Sequence, residues 1–343
     1  MPLIGIDISR DIQMIKKYLF MYRKFLSDLK KPKKSYDIAD DLHGKELKEY
    51  YFLFDEKRVA SGEDQKLISR FDENGIPINK TYIDVPDKEF VYFPISIGQM
   101  GLAVFHTWLK SGLEMDKERF IKFVEWFYNH AEVTEALGAR WLTDVALPQY
   151  RNPGSWQSAF SQSRAISILL RGFQLTGNKD YSDMAIEALK PFKLPVAEGG
   201  VTSFTQWGPF YEEYTAETPT LVLNGKIFAL CGIYDLIRVF PDLTEARQVF
   251  DEGINTLINI LPEYNLGYWS RYNMCSAEWY PKIDPATIGY QRLHVTQLNM
   301  LYKLTGKEAF KEYARIFNSQ DTLINALRMY FIKFNSLKKI GRL

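Results

Sequence analysis

The sequence is poor in the residues that build disulfide frameworks and metal sites. Its 343 residues include two cysteines, Cys231 and Cys275, and four histidines, at positions 43, 106, 130 and 294. Two cysteines are too few for a disulfide scaffold or an all-cysteine metal site, and the histidines do not follow the spacing of a zinc protease. We therefore expect no metal and no other cofactor.

Charge of one sign and long apolar runs are also missing. Lys and Arg total 43 against 42 Asp and Glu, so the net charge is +1, whereas a nucleic-acid-binding domain shows a basic excess. No run of about 18 apolar residues occurs, and the first residues do not resemble a signal peptide. We expect a cytoplasmic protein that has neither a nucleic acid nor a membrane as its partner.

Aromatic residues, in contrast, are abundant: 23 Phe, 21 Tyr and 7 Trp make up 15% of the chain. Most of them will fill a core, but Tyr and Trp also line sugar-binding clefts, where the ring packs on the sugar and the polar tip forms hydrogen bonds. The length corresponds to one large domain or two.

Two regions differ in their apolar pattern. Residues 11–31 have apolar side chains every third or fourth position, which predicts an amphipathic helix that ends before Pro32. Residues 35–93 contain short β-type runs, such as 50–54, 57–60 and 90–93, separated by turn residues. We therefore predict a unit of one helix and β-hairpins over 1–90, followed by a helical catalytic domain over 91–343.

Helix breaks recur with one period in the second region. They fall at Gly112, Gly177, Pro241 and Gly306, at intervals of 64 or 65 residues. Each break separates an apolar helix from a more amphipathic one, which indicates an array of αα-hairpins. We expect a mainly α fold in which about four hairpins form an (α/α) toroid, with the apolar helices inside; a linear solenoid is the structural alternative.

The longer segments between the hairpins should then lie together at the other end of the toroid. These are residues 92–98, 150–163, 195–222 and 262–290, and they hold the densest polar and aromatic sequence in the chain. Loops carry function on rigid scaffolds, and the helix N-termini that they lead into favour an anionic ligand.

The side chains in these segments suit the removal of a proton from a carbon beside a carboxylate, as at C5 of a uronic acid. They include carboxylates, phenols, amides and arginines, and no arrangement of a nucleophilic Ser or Cys. Arginine neutralises a carboxylate through its planar fork, and a phenol whose pKa is lowered by nearby Arg can act as the base. Inversion also requires a second proton carrier on the opposite face of the ring.

Six stretches, in order over about residues 90–315, resemble the D-glucuronyl C5-epimerase family that acts on heparosan and heparan sulfate. They are YFPISIGQ (92–99), GSWQSAFSQSRAISIL (154–169), YEEYTAETPTLVLNG (211–225), GIYDL (232–236), LPEYN with GY and Arg (261–271) and GYQRLHVTQLNML (289–301). The resemblance implies an isomerase on an anionic polysaccharide that converts D-glucuronate to L-iduronate without a cofactor. The membrane anchor and the larger β domain of the animal members are not matched, which favours an anchorless, bacterial-like form.

Motif by motif, the resemblance implies an active site made of Glu213, Tyr214, Tyr268, Arg271 and Tyr290. We expect Tyr290 and Glu213 to be the opposed proton carriers, Tyr214 and Tyr268 to complete the hydrogen-bond network, and Arg271 to hold the uronate carboxylate. Side chains expected to contact the substrate are Gln99, Trp156, Gln157, Gln162, Arg164, Tyr211, Arg292 and His294.

Other functions stay open at this stage. A uronate polysaccharide lyase shares the proton abstraction but expels the C4 oxygen. A glycoside hydrolase would pair Glu213 with another carboxylate, and a non-catalytic polyanion-binding module would use the arginines alone. The cleft for an extended chain could also require a second subunit, so a homodimer is left open.

Overall fold

Helices dominate the computed structural model, which describes residues 8–61, 68–81, 85 and 88–343, and the side chains from residue 15 onward. The fold is mainly α, as expected. The helices of the described residues are α1 Ile8–Leu29, α2 Glu56–Ala60, α3 Pro94–Ser111, α4 Glu114–Asn129, α5 Ala159–Thr176, α6 Lys179–Glu187, α7 Leu223–Val239, α8 Thr244–Ile260, α9 Ile288–Thr305, α10 Glu308–Gln320 and α11 Leu323–Lys339.

The strands are short and antiparallel. A three-stranded sheet combines β3 Ile68–Phe71, β4 Pro77–Lys80 and β5 Phe90–Val91. The other strands form two-stranded pairs: β1 Asp37–Ile38 with β2 Phe52–Leu53, β6 Glu132–Thr134 with β7 Gly138–Arg140, β8 Leu142–Thr143 with β9 Trp156–Gln157, and β10 Thr202–Thr205 with β11 Gly208–Tyr211. Because β8, β9, β10 and β11 belong to the segments between hairpins, they brace the end of the molecule at which α5 and α7 begin.

Four αα-hairpins form the body of the molecule, and their turns lie at the positions predicted from the sequence. Gly112, Gly177 and Gly306 adopt φ angles of 65°, 72° and 67°, a left-handed conformation that glycine adopts at little cost at the end of a helix. The third turn instead passes through Phe240 and Pro241. Each turn leads directly into the second helix of its hairpin.

The first helices of the hairpins make up the inner layer. Helices α3, α5, α7 and α9 pack side by side in chain order, and each packs against the second helix of its own hairpin. Side chains of the first helices are buried over most of their length. Helices α4 and α10, in contrast, alternate buried and exposed positions. The first helices are apolar on nearly all sides, and a helix of this kind is stable only when it is buried.

The N-terminal segment 44–54 crosses the inner layer at the end where the hairpin turns lie. The backbone nitrogen of Tyr50 donates to His106 Nε2 of α3 (2.9 Å), Leu47 donates to Gln174 of α5 (2.8 Å), and Arg238 of α7 donates to the carbonyl of Gly44 (2.7 Å). Burial lowers the pKa of His106 to about 3, so its ring is neutral and can accept this bond.

Aromatic side chains of this segment join the core between the helices. Tyr50, Tyr51 and Phe52 are fully buried in the same hydrophobic core as the inner helices. The Tyr51 hydroxyl donates to Asp235 of α7 (2.8 Å), whose other oxygen accepts from Arg171 of α5 (2.9 Å). The segment thus closes one end of the helical layer and leaves the opposite end, where the inner helices begin, to the connecting segments.

One predicted strand is a helix in the structure. Residues 57–60 fall within α2, because the Asp55 side chain accepts a hydrogen bond from the backbone of Arg58 and so caps a helical turn. The predicted N-terminal helix agrees with α1, which ends just before the turn at Lys30. The proposed division at residue 90 stays a prediction, since the segment 44–54 already lies in the helical core.

Candidate functional site

The carboxylate of Glu213 lies at the beginning of the inner helix α7. Strand β11 ends at Tyr211, and the chain then places Glu213 against the first turn of α7, where Asn224 Nδ2 donates to Glu213 Oε2 (3.1 Å). Gly225 follows, and a Cβ at this position would lie 2.4 Å from both the Glu213 Cβ and Oε2. The glycine therefore allows the carboxylate to approach the N-terminus of the helix, where exposed N–H groups favour a negative charge.

Burial raises the pKa of Glu213 to about 7, although hydrogen bonds from Tyr214, Asn224 and the backbone of Gly225 oppose this shift. The neighbouring Glu212 contributes to the increase through charge repulsion. A carboxyl group with this pKa exists in both protonation states near neutral pH, which general acid–base chemistry requires.

Tyrosine rings line the space beside this carboxylate. The Tyr214 ring lies 5.0 Å from that of Trp156 and 5.6 Å from that of Tyr150, and the rings of Tyr272 and Tyr290 are 5.0 Å apart. Tyr290 belongs to the first turn of α9, which Thr287 caps through its side chain. Tyr214, Tyr272 and Tyr290 are only partly buried, so they form the accessible part of the cluster.

Tyr272 connects the two halves of this cluster. Burial raises its pKa well above the ordinary value, and the charges of Tyr214, Glu213, Tyr290 and Tyr150 act in the same direction. All four groups therefore lie within electrostatic range of one phenol. The Tyr272 carbonyl also accepts a hydrogen bond from the Leu223 backbone at the start of α7 (3.2 Å). The sequence pattern indicates no role for Tyr272, although this residue directly follows Arg271.

Tyr268 and Arg271 form a second group on the same segment. The Arg328 guanidinium of α11 lies 3.9 Å from the centre of the Tyr268 ring, and burial is the largest effect that raises the pKa of this phenol. Arg271 is partly buried, and its Nη1 donates to the Lys282 carbonyl (2.9 Å). Tyr272 and Tyr290 pack against the small core that contains Tyr268, so they lie between the two groups.

A strained connection precedes α7. Leu221 has a φ angle of 50°, which is unfavourable for a residue with a side chain. Its N–H donates to Glu212 Oε2 (2.9 Å), its carbonyl accepts from the Tyr264 hydroxyl (2.6 Å), and Thr220 donates to the same Glu212 oxygen (2.7 Å). Glu212 therefore fixes the loop at Thr220 and Leu221, which leads into the first turn of α7. Glu213 packs against that turn.

A buried polar network supports the other side of the cluster. Lys333 of α11 donates to Asp284 (2.6 Å), and Asp284 accepts from the Tyr280 hydroxyl (3.0 Å). Asn273 donates to Tyr280 (2.7 Å) and to Tyr150 (3.0 Å), and Tyr150 stacks on Tyr280. The network fixes the Tyr150 ring on which Tyr214 packs.

Three side chains expected to contact the substrate are instead hydrogen-bonded within the fold. Gln162 accepts from the Trp141 backbone and donates to two backbone carbonyls. Tyr211 is buried, and its hydroxyl donates to the Val249 carbonyl (2.5 Å). Arg292 donates to Asp321 (2.9 Å) and to the carbonyl of Lys31 (2.6 Å). The three side chains tie helices and loops together, and their contact with a substrate stays a prediction.

Arg164 and His294 are also fully buried. Four aromatic rings surround the Arg164 guanidinium at 4.7–5.0 Å, two of them from the N-terminal segment. His294 Nδ1 lies 2.9 Å from Ser270 Oγ, and burial lowers the pKa of this histidine to about 3. Neither side chain reaches the surface, and contact of either one with a polymer stays a prediction.

The remaining three expected contacts are buried as well. Trp156 is buried but forms the wall behind Tyr214. Gln157 belongs to β9, where its backbone pairs with Thr215. Gln99 is buried near the start of α3, with its Nε2 3.5 Å from the Tyr36 hydroxyl. Contact of these side chains with a substrate stays a prediction.

Comparison with solved structures finds carbohydrate-active enzymes at low similarity. One is cellobiose 2-epimerase from Spirochaeta thermophila, with a TM-score of 0.47 and 12% identity over 76% of this chain and 65% of that chain. Another is a family 76 glycoside hydrolase from a Bacteroides thetaiotaomicron strain, with a TM-score of 0.43 and 12% identity over 78% of this chain and 60% of that chain.

Comparison with curated proteins returns two informative relatives. An uncharacterized protein of Methanocaldococcus jannaschii is 28% identical over 208 residues, which cover 60% of this chain and 60% of the relative. The D-glucuronyl C5-epimerase of Caenorhabditis elegans is 29% identical over 173 residues, which cover 47% of this chain and 28% of the relative. The chain therefore matches less than two thirds of the length of either relative.

A family model places these similarities in the part of the chain that carries the site. The model described as D-glucuronyl C5-epimerase C-terminus matches residues 138–319, which is more than half of the chain. The matched range contains the Glu213 cluster together with Tyr268 and Arg271. The chain therefore belongs to the D-glucuronyl C5-epimerase family.

Proposed function

We propose that the protein is an isomerase that inverts C5 of D-glucuronate residues within an anionic polysaccharide. The observation that carries this proposal is the Glu213 carboxyl group, with a pKa of about 7, placed among three partly exposed tyrosines at the beginning of the inner helices. The family membership of residues 138–319 supports the same chemistry.

The reaction requires one group to remove the C5 proton and another to return a proton from the opposite side. The electron pair of the broken C–H bond is delocalised into the adjacent carboxylate and forms the new C–H bond when the second group donates. The substrate and the product are isomers, so the two proton carriers exchange their protonation states in each turnover and no oxidant or reductant is consumed.

Glu213 suits one of these roles, because a carboxyl group with a pKa of about 7 can both accept a proton and release it again near neutral pH. Tyr290 suits the other role, because its phenol lies on the first turn of a different inner helix and is partly exposed. Tyr214 and Tyr272 belong to the same cluster and can donate hydrogen bonds to the charge that develops on the substrate.

Arg271 is proposed to neutralise the uronate carboxylate, together with the Tyr268 hydroxyl. Arg271 is partly buried and donates from Nη1 to the Lys282 carbonyl, while its Nε has no hydrogen-bond partner among the described residues. Guanidinium N–H groups are therefore available for a carboxylate. Neutralisation lowers the barrier to forming a negative charge next to an existing one.

The finer features are part of the same proposal. The four hairpins are proposed to close into an (α/α) toroid, and the substrate is proposed to be heparosan or a heparan-type chain, as in the heparosan-N-sulfate-glucuronate 5-epimerase reaction. We further propose that the protein acts in the cytoplasm without a cofactor. A homodimer remains an open proposal.

Deuterium incorporation tests the proposal. Heparosan is incubated with the protein in deuterated water, and the mass increase of the disaccharides released afterwards is measured. We expect exchange with the native protein and a loss of at least about 100-fold for Glu213→Gln and for Tyr290→Phe. Tyr302→Phe serves as the matched control. Tyr302 lies in the last turn of α9, where its hydroxyl donates to Glu308, and the variant should catalyse exchange at the native rate.

A lyase gives a different result in the same experiment, because elimination produces a C4=C5 double bond that absorbs ultraviolet light. Absorbance that grows with incubation, or full exchange by both site variants, would contradict the proposed reaction.

A further inference from the structure

Helices α1 and α11 form an antiparallel pair that covers the segment carrying Tyr268. Tyr18 of α1 stacks on Phe334 of α11 (4.7 Å), and Phe25 contacts Tyr330 edge-on (5.0 Å). The inner faces of both helices share a small core with Trp269, Ala286 and Ile288. The pair is thus held against the connecting segment 264–290.

The outer face of α1 is apolar, and most of it is exposed in the part of the chain that the structure describes. Ile15, Tyr18, Leu19, Tyr22 and Leu26 recur every third or fourth residue and are 41–59% exposed. This spacing places them in one stripe of the helix. Because the opposite face, with Met21 and Phe25, already fills the inner core, the stripe faces away from the protein.

Helix α11 exposes apolar side chains as well. Leu323, Ile324, Leu327 and Phe331 are 53–79% exposed, and the stacked pair of Tyr18 and Phe334 joins the two helices. Together the side chains expose on the order of 1,000 Å², about twice the largest apolar patch of a typical soluble monomer. A patch of this size marks a docking surface.

Charge identifies the occupant. The charged residues of α11 are all basic, but they do not all belong to the outer face. Arg328 lies over the Tyr268 ring, Lys333 is paired with the buried Asp284, and Lys339 donates to the Tyr280 carbonyl, whereas Lys338 is exposed. On α1, from Ile15 onward, Lys16, Lys17, Arg23 and Lys24 are accompanied by a single acid, Asp28, which is buried and bound to Tyr330, Lys24 and Lys31. The docking surface therefore combines aliphatic and aromatic side chains with a net positive charge.

We propose that the α1–α11 surface binds the face of a lipid bilayer that contains anionic lipids. Paired amphipathic helices with exposed apolar side chains and flanking lysines match the chemistry of such an interface. A second copy would place one basic surface against another, which opposes pairing. A polysaccharide alone would leave Leu and Ile side chains such as Ile324 and Leu327 without apolar partners.

The proposed contact is peripheral. No helix in the described part of the chain is long and apolar enough to cross a membrane. The expectation that the protein has no membrane partner rested on this criterion, which does not address helices that lie in the interface. Because α11 separates the docking surface from Tyr268 and Tyr272, binding would hold the candidate site about one helix diameter, roughly 10 Å, from the lipid.

Co-sedimentation of the full chain with vesicles tests the proposal. One vesicle preparation contains phosphatidylglycerol and phosphatidylcholine, and the other contains phosphatidylcholine alone. We expect binding to the first preparation only, weakened by salt. Two variants should reduce it: Leu327→Asn with Phe331→Asn on the apolar stripe, and Lys16→Glu with Lys338→Glu at its basic flank. The charge variant should weaken binding at least about fivefold for each basic residue lost.

Matched controls change the same residue types elsewhere. Phe204→Asn alters another exposed aromatic residue, on β10, and Lys179→Glu alters an exposed lysine at the start of α6; both should bind like the native protein. Circular dichroism of each variant confirms that the helices are retained. Sedimentation velocity without vesicles gives the oligomeric state.

Binding to the anionic vesicles that both surface variants weaken supports the proposal. Equal binding to both preparations, no binding to either, or a stable dimer that the Leu327 and Phe331 variant dissociates would overturn it. A surface variant that no longer binds vesicles should still catalyse normal deuterium exchange on soluble heparosan. This result would show that membrane binding and the proposed activity can be lost independently.

Discussion

Replacing Glu213 by Gln should stabilise the protein while it abolishes the proposed reaction. The native pKa of about 7 lies above the ordinary value of 4.5 because the carboxyl group is buried. At pH values above 7, folding must therefore keep a buried negative charge that the unfolded chain exposes to water. Gln has nearly the same shape, remains neutral and can still accept hydrogen bonds from Asn224 and Gly225.

The magnitude follows from the difference between the two pKa values. Below pH 4.5 the carboxyl group is protonated in both states and contributes no pH dependence. Between pH 4.5 and 7 the folded state binds more protons, so the stability of the native protein falls as the pH rises. The total loss is about 3 kcal/mol at pH 8, since each pKa unit corresponds to about 1.4 kcal/mol.

The assay is urea denaturation of the native protein and the Glu213→Gln variant at several pH values from 4.5 to 8. The stability advantage of the variant should grow across this interval and stay constant above pH 7. Glu217→Gln serves as the matched control, because Glu217 is exposed in the same loop and its replacement should change stability by less than about 0.5 kcal/mol. A variant that is less stable at pH 8, or an advantage that does not depend on pH, would refute the reasoning.

Three further substitutions test the scaffold, each by urea denaturation. Asp235→Asn should cost about 3–5 kcal/mol, because it leaves the fully buried Arg171 without its carboxylate; a cost below 1 kcal/mol would argue against the ion pair. Gly232→Ala should cost at least about 2 kcal/mol, since its Cβ would lie 2.4 Å from a backbone oxygen of α5, whereas Gly154→Ala meets no atom within 4 Å. Arg164→Met should keep stability within about 1 kcal/mol, because an apolar chain suits its aromatic surroundings; loss of deuterium exchange with an intact fold would support a role in substrate binding.

The hairpin array could be predicted because its signals are local. Glycine at a left-handed helix end is a property of a few residues, so Gly112, Gly177 and Gly306 marked their turns directly. The division into apolar and amphipathic helices likewise follows from periodicity within each helix. Residues 57–60 were misassigned because the Asp55 cap that favours a helix lies outside the β-type run itself.

Long-range contacts could not be predicted in the same way. The segment 44–54 enters the core through hydrogen bonds to residues 52–194 positions away, such as Tyr50 to His106 and Arg238 to Gly44. A polar side chain near a loop gives no sign that its partners are distant backbone carbonyls, which is why Gln162 was expected to contact the substrate.

Part of the candidate site could be predicted from the sequence and part could not. Glu213, Tyr214 and Tyr290 were recognised together, and the structure gathers them with Tyr272, while Tyr268 lies under Arg328 in the neighbouring group. Adjacent residues of an extended segment point in opposite directions. The sequence around Arg271 and Tyr272 therefore does not tell which of the two side chains lies near Glu213, and the structure places Tyr272 within electrostatic range of this carboxylate.

The most direct test of the proposed reaction is the nuclear magnetic resonance spectrum of unsulfated heparosan after incubation with the native protein in deuterated water. We predict that the C5 proton signal of glucuronate decreases and that L-iduronate carrying deuterium at C5 appears in the intact polymer. A polymer that keeps its C5 protons, or that is cleaved to unsaturated uronate ends, would contradict epimerisation by the Glu213 and tyrosine cluster.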